Sequence, residues 1–397
     1  MQETDSAEAT ARILIRVVNP KWKFRIRARS RLGGPLRRIP PLDVLLSLAV
    51  VLVIICHTDA AWVREGAPTV LSRMPFVNGG WMGVDLFFVL SGFLIGGQLW
   101  RELKSEGNLN VSRFIIRRGY RIWPLYLFVF LLCVILGRAT WSHWWSDLIF
   151  LTNYTNHGVV MGSWSLCTEE QFYIAAPTFV LIGLRKKWDP AIYRRLLVGC
   201  LLTLPAVRAI EWLYFAGSLS LHDSQTAWGP IYSNFHTHCD GLIVGLLLSH
   251  FKTFGVPRKA GFIGSRVTPI AAFVFFLGLR WLHHEVFIFS GLAIFFGSLL
   301  WQGTLLNPRF ARSSIFYWVS RLSYGMYLNH EYLLKYALRL NTFKSRLLAE
   351  TAAIAVVLVV SAALAHVTFR LIEEPFLQMR DTRRPKASKL RDPSIVG

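Results

Sequence analysis

Charge is scarce in this sequence, and negative charge most of all. Only 17% of the 397 residues are charged, with 23 Asp and Glu against 44 Lys and Arg, while 53% are hydrophobic. The mean hydropathy of +0.40 is more than a water-soluble enzyme of this length needs, which argues against an ordinary soluble fold. Cysteine is equally thin. Cys56, Cys133, Cys167, Cys200 and Cys239 lie singly at or within apolar runs, without the paired spacing of a zinc or redox site, so they read as small packing residues. A Walker-type loop, a dinucleotide fingerprint and internal repeats are all missing, which removes the P-loop, Rossmann and solenoid architectures. The opening stretch turns from acidic to basic and holds no apolar run long enough for a signal-peptide core.

Long apolar runs are what the sequence has instead. Segments of a length that crosses about 30 Å of hydrocarbon as helix recur at 42–58, 80–100, 122–139, 164–184, 196–216, 236–250, 267–282, 286–302, 316–335 and 348–372. The expected fold is therefore all-α, a polytopic transmembrane bundle of about ten spans in an integral, multi-pass membrane protein. Basic loops are retained in the cytoplasm. With the N-terminus inside, the segments 1–41, 101–121, 185–195, 251–266, 303–315 and 377–397 become cytoplasmic and hold 33 of the 44 Lys and Arg, so both termini are expected there. This divides the chain into a basic tail at 1–41, a membrane domain at 42–376 and a second basic tail at 377–397. Positive charge spread over loops between spans, rather than gathered on one module, argues against nucleic acid; the partner it implies is the lipid bilayer.

Ionisable groups inside spans are costly and mark function. His57 closes the first span, and Asp43 lies fourteen residues earlier, nearly four turns or about 21 Å away on one face. Asp85 and Ser91 lie in the second span, whose Gly83, Gly92, Gly96 and Gly97 allow close helix approach. Trp164, Glu169, Glu170 and Tyr173 open the fourth; His236, His238 and Asp240 the sixth; Tyr327, Asn329, His330 and Glu331 lie toward the outer side of the ninth. Five spans thus bring acid, base or hydroxyl groups to a similar depth, which predicts one acid–base chamber near the outer face. At the opposite face, Arg117, Arg118 and Arg121 precede the third span at helical spacing, and a guanidinium fork suits phosphate oxygens.

These pieces resemble the acyltransferase-3 family of integral membrane acyltransferases. The matching stretches are LDVLLSLAVVLVIICH, GVDLFFVLSGFLI, RRGYRIWPLYLF, WSLCTEEQFYIAAP, DGLIVGLLL, LSYGMYLNH and IEEPF, in the family's order from residue 42 to 376. The resemblance implies transfer of an acyl group, acetyl from acetyl-CoA by default, from a cytoplasmic acyl-CoA donor to a hydroxyl of an extracytoplasmic saccharide or lipid-linked saccharide of the cell envelope. A bacterial-type inner or plasma membrane is implied, and no metal. His57 matches the family's histidine, Arg118 and Arg121 its paired arginines, Glu169 and Glu170 its Glu-Glu-Gln-Phe-Tyr piece. Two positions depart from it: Leu46 stands where the family commonly has arginine, for which Arg37 or Arg38 could substitute, and His238 stands where many relatives have arginine.

Each assignment has a structural counterpart. His57 is read as general base, with an acyl-histidine route open and an interfacial hydrogen-bonded histidine as the plain alternative. Adjacent helical positions point about 100° apart, so one of Glu169 and Glu170 is expected to face the cavity, Glu169 in preference, and the other a neighbouring helix. The arginines are a phosphate clamp or a positive-inside anchor. Asp85, Ser91, Asp240, His330 and Asp43 are catalytic, substrate-supporting or merely structural. Trp141, Trp144, Trp145 and Trp164 read as an interfacial aromatic belt. Glu373 and Glu374 are expected to bridge basic inner loops, with Pro375 ending the last helix, and His283 and His284 to be exposed loop residues. Competing functions are a proton-coupled secondary transporter, for which inverted repeats are missing, and a non-catalytic scaffold of polysaccharide assembly.

Overall fold

The computed structural model describes residues 38–66, 70–137, 144–155, 157–216, 224–281, 285–339 and 345–382. Most of both tails, together with Arg37, Trp141, His283 and His284, lies outside them. Every regular element among the described residues is helical. Ten helices of fourteen residues or more run in chain order as α1 Pro40–Arg64, α2 Met82–Glu106, α3 Val111–Ile135, α4 Trp164–Arg185, α5 Pro190–Ala216, α6 Asp240–Phe254, α7 Thr268–Trp281, α8 Glu285–Leu306, α9 Ser314–Ala337 and α10 Arg346–Thr368. Each overlaps one of the ten apolar segments. Six of them, α1, α2, α3, α5, α8 and α10, are long and apolar enough to cross a membrane.

Local sequence explains the ends. Pro40 and Pro41 open α1, where a missing N–H costs nothing. Gly107, at φ +60°, closes α2 in the left-handed conformation that glycine adopts without strain. Three residues later, Asn110 accepts the Arg113 N–H at 2.8 Å and starts α3. The segment 101–121, expected as a loop, is thus almost wholly helix, because arginine is a good helix former and the asparagine supplies the cap. Pro375 does not end the last helix: after a π turn at Phe369–Glu373 the chain continues helically over Glu374–Thr382. The proline falls in the first turn of that continuation, where it is tolerated.

Packing is closest between α2 and α6. A Cβ at Gly92 would stand 2.1 Å from the Leu242 carbonyl oxygen, and one at Gly245 2.2 Å from that of Val89, so the two backbones touch as only glycine permits. The Trp100 indole N–H donates to the Leu246 carbonyl at 3.0 Å across the same seam. Gly97 is different, since its Cβ would meet only the Arg101 guanidinium, at 3.6 Å. On the other side of α2, α1 pairs with α9 through Ser47, which donates to the Phe316 carbonyl, and Ser320, which donates to Asp43 Oδ1 at 2.9 Å. Val50, Ile54, Met326, Ala353 and Val357 fill the space among α1, α9 and α10.

Candidate functional site

Two consecutive residues of α9 meet α1 at His57, which does not close the first span as expected, since the helix runs on two turns to Arg64. His57 Nδ1 lies 2.9 Å from His330 Nε2 and 3.3 Å from Glu331 Oε1. His330 is buried, and its Nδ1 lies 2.7 Å from the Tyr327 carbonyl oxygen. A carbonyl only accepts, so the proton of neutral His330 is on Nδ1 and its Nε2 is the acceptor. His57 must then donate from Nδ1, which leaves its own Nε2 with the lone pair. The His57 side chain is 29% exposed. Two histidines and one backbone carbonyl therefore fix which nitrogen is basic, and Glu331 supplies the counter-charge for a protonated ring.

A cavity of about 140 Å³ opens between α2, α3, α4 and α9. Its walls are mostly apolar, with Leu46, Phe87 and Leu166 among them, and its polar groups are Ser91, Arg118, Arg121, Ser165, Glu169, Tyr173, Ser323, Tyr324 and Tyr327. Tyr173 donates to Glu169 Oε2 at 2.8 Å. The Arg118 guanidinium lies 5.6 Å from the Phe114 ring and 5.7 Å from that of Tyr173, with Nη2 buried and unpartnered. A buried guanidinium nitrogen without an acceptor is a vacant anion contact, so these residues fit a phosphate-bearing donor. Tyr327 joins the two sites. Its ring lines the cavity, its hydroxyl donates to the Gly162 carbonyl at 3.1 Å, Ser165 donates to that hydroxyl at 2.6 Å, and its own carbonyl orients His330.

The single chamber expected from depth alone is in fact four clusters: that of His57, the cavity, and two buried pairs. Asp85 leaves the cavity and pairs through Oδ1 with His238 Nε2 at 2.9 Å, while His238 Nδ1–H donates to the Tyr232 carbonyl. Asp240 is held by Arg208, whose Nη1 lies 2.7 Å from Oδ2, and by Ser290, which donates to Oδ1 at 2.6 Å; both members of this ion pair are buried. Of the expected pair, Glu169 lines the cavity and Glu170 turns toward Trp123 on α3. Arg117 is exposed and absent from the cavity walls, because it stands about 100° round the helix from Arg118. Trp164 packs inward, on Tyr232 at 4.7 Å and on His238 at 6.0 Å, rather than standing in an aromatic belt. Trp145 is exposed, as a belt residue would be.

Sequence reasoning undervalued Glu331, Tyr327 and Arg208. Glu331 was legible as the neighbour of His330, but adjacent polar residues do not reveal which turns toward another helix. Arg208 was the clearer signal, a lone arginine deep in the apolar run LLTLPAVRAIEW. His57, His330 and Glu331 also offer three ligand atoms within 4.8 Å of one another, a set with the donor types a divalent ion uses. The 2.9 Å separation of the two histidine nitrogens already accommodates a shared proton.

Residues 40–366 match the family model described as an acyltransferase domain. A peptidoglycan O-acetyltransferase of Listeria monocytogenes is 26% identical over 327 residues, covering 74% of this chain and 49% of that protein. A Staphylococcus aureus protein provisionally designated an O-acetyltransferase is 26% identical over 329 residues, 74% of this chain and 50% of that protein. A Bacillus subtilis protein provisionally designated a peptidoglycan O-acetyltransferase is 34% identical over 169 residues, 37% of this chain and 24% of that one. The chain spans about half the length of the first two relatives. No solved structure matches it. The family match extends over most of the helical body, and the chain therefore belongs to the acyltransferase-3 family of multi-pass integral membrane proteins.

Proposed function

We propose that this protein is a membrane O-acyltransferase that moves an acyl group, acetyl by default, from a cytoplasmic acyl-CoA to a hydroxyl of an extracytoplasmic saccharide of the peptidoglycan kind. The names of two of its relatives support the acceptor class, and the arginine-bearing cavity, joined to the His57 cluster through Tyr327, supports the donor. The donor supplies the acyl group as a thioester. Arg118 and Arg121 hold its phosphates at one end of the cavity, and the apolar walls exclude water from the arm between. Beyond Tyr327, His57 Nε2 takes the proton of the acceptor hydroxyl as its oxygen bonds to the acyl carbon, and the carbon–sulfur bond breaks. The imidazolium is balanced by Glu331 at 3.3 Å, and its proton passes to the departing thiolate. Ester and free thiol are the products, with no net proton change.

The observation that carries this reading is the hydrogen-bond order His57 to His330 to the Tyr327 carbonyl, which leaves Nε2 as the base. In membranes supplied with radiolabelled acetyl-CoA and a saccharide acceptor, His57→Ala should lose about 10²- to 10⁴-fold in transfer, the usual worth of a general base, at unchanged membrane abundance. Transfer that persisted at the wild-type rate would overturn the assignment.

A further inference from the structure

The π turn at Phe369–Glu373 carries a carboxylate that the described residues leave unsatisfied. Glu373 is 2% exposed, and neither Oε1 nor Oε2 has a hydrogen-bond partner. Its neighbour Glu374 is engaged, accepting from Arg370 at 2.8 Å and lying 3.6 Å from Arg321. Glu373 faces Arg121 on α3 and Arg321 on α9 without touching either. Arg321 is already held, donating to the Tyr317 hydroxyl at 2.9 Å and lying 4.4 Å over the Phe369 ring. Arg121 has no ion pair or hydrogen bond among the described residues and lines the cavity. A buried carboxyl without a hydrogen-bond partner calls for an explanation, and π turns of this kind occur often at functional sites.

We propose that Glu373 is a built-in counter-charge to Arg121 that weakens the hold of the cavity on the donor's phosphates. The role follows from a symmetry of the proposed reaction, on which this inference rests. Donor and spent carrier bear the same phosphates, so a guanidinium pair that grips one grips the other, and turnover stalls on the product. When ionised, that carboxylate behind the guanidinium lowers both affinities. The binding that distinguishes the donor is then left to the thioester arm in the apolar part of the cavity. Glu373 acts through Arg121 and touches neither substrate.

The test is calorimetric titration of coenzyme A into the purified full-length protein in detergent. Glu373→Gln should bind coenzyme A at least about fivefold more tightly than wild type, the lower end of couplings between sites, and Glu373→Asp should stay near wild type. Affinity for S-acetylpantetheine, which has no phosphate, should not move. Coenzyme A binding that is unchanged or weaker in Glu373→Gln would overturn the proposal. Glu373→Met removes the same charge with an apolar side chain and decides the question if the glutamine variant melts early. Arg121→Gln separates this inference from the one beneath it: coenzyme A binding that ignores Arg121 refutes the phosphate site itself, whereas loss there without a gain in Glu373→Gln refutes only the counter-charge.

Discussion

At the scale of single residues, the direction of a hydrogen bond decides what His57 can do. The ring needs an acceptor for Nδ1–H, and His330 provides one only because the Tyr327 carbonyl occupies its own proton. Replacing His330 by Ala removes that acceptor while leaving His57 and Glu331 in place. The expected result is a kcat roughly tenfold or more below wild type, toward the low side of what an acid–base group contributes, with KM for acetyl-CoA unchanged because the proposed phosphate contacts, Arg118 and Arg121, lie on α3 and His330 does not line the cavity. Steady-state kinetics on purified protein would show the split, and a rise in KM at constant kcat would argue against it. The sequence showed that histidines and acids gather in the outer halves of several helices. It could not show that Asp85 and Asp240 are consumed by His238 and Arg208, since partners 153 and 32 residues away are set by helix packing rather than by local spacing.

Among elements, the seam between α2 and α6 fixes where everything else stands. α2 carries Ser91 and Phe87 into the cavity, and α6 backs it through the glycine contacts, so a side chain inserted there displaces a cavity wall. Gly92→Val should prevent recovery of a monodisperse protein, since its Cβ would meet the Leu242 backbone and no rotamer relieves a clash with main chain. Gly97→Ala, five residues on and with room beside it, should elute and melt as wild type. Size-exclusion profiles of the two variants give the comparison, and equal behaviour would mean that the seam is not as tight as described. All four glycines of α2 were legible as small residues, yet periodicity alone could not separate the packed ones from the open one. The same limit applied to the arginine helix, where the helical spacing of Arg117, Arg118 and Arg121 was legible but the asparagine cap that makes them part of the first three turns of α3 was not.

For the whole molecule, the positive-inside pattern predicts that both termini and the arginine end of the cavity are cytoplasmic. Single cysteines at Asn108, in the short turn between α2 and α3, and at Met161, an exposed position before α4, should behave oppositely toward a membrane-impermeant maleimide on intact cells. Met161→Cys is expected to label and Asn108→Cys only after permeabilisation; the reverse pattern would invert the protein. The positions of the ten helices were readable from hydropathy, although only six of them are long and apolar enough to cross a membrane. How strongly each helix favours lipid varies, and the residues responsible are those of the site. α4 and α9, at 22 and 24 residues, are long enough to cross but fall outside the six apolar helices. They carry Glu169, Glu170, Arg321, His330 and Glu331, and an ionised side chain at a helix centre costs about 2.5–3.5 kcal/mol during insertion. Biogenesis inherits that cost. When α9 leaves the ribosome, α1 has long been made, and Asp43, Ser47 and His57 present ready partners for Ser320, the Phe316 carbonyl and His330. The contacts that orient His57 thus also hold a weakly hydrophobic helix against its neighbour.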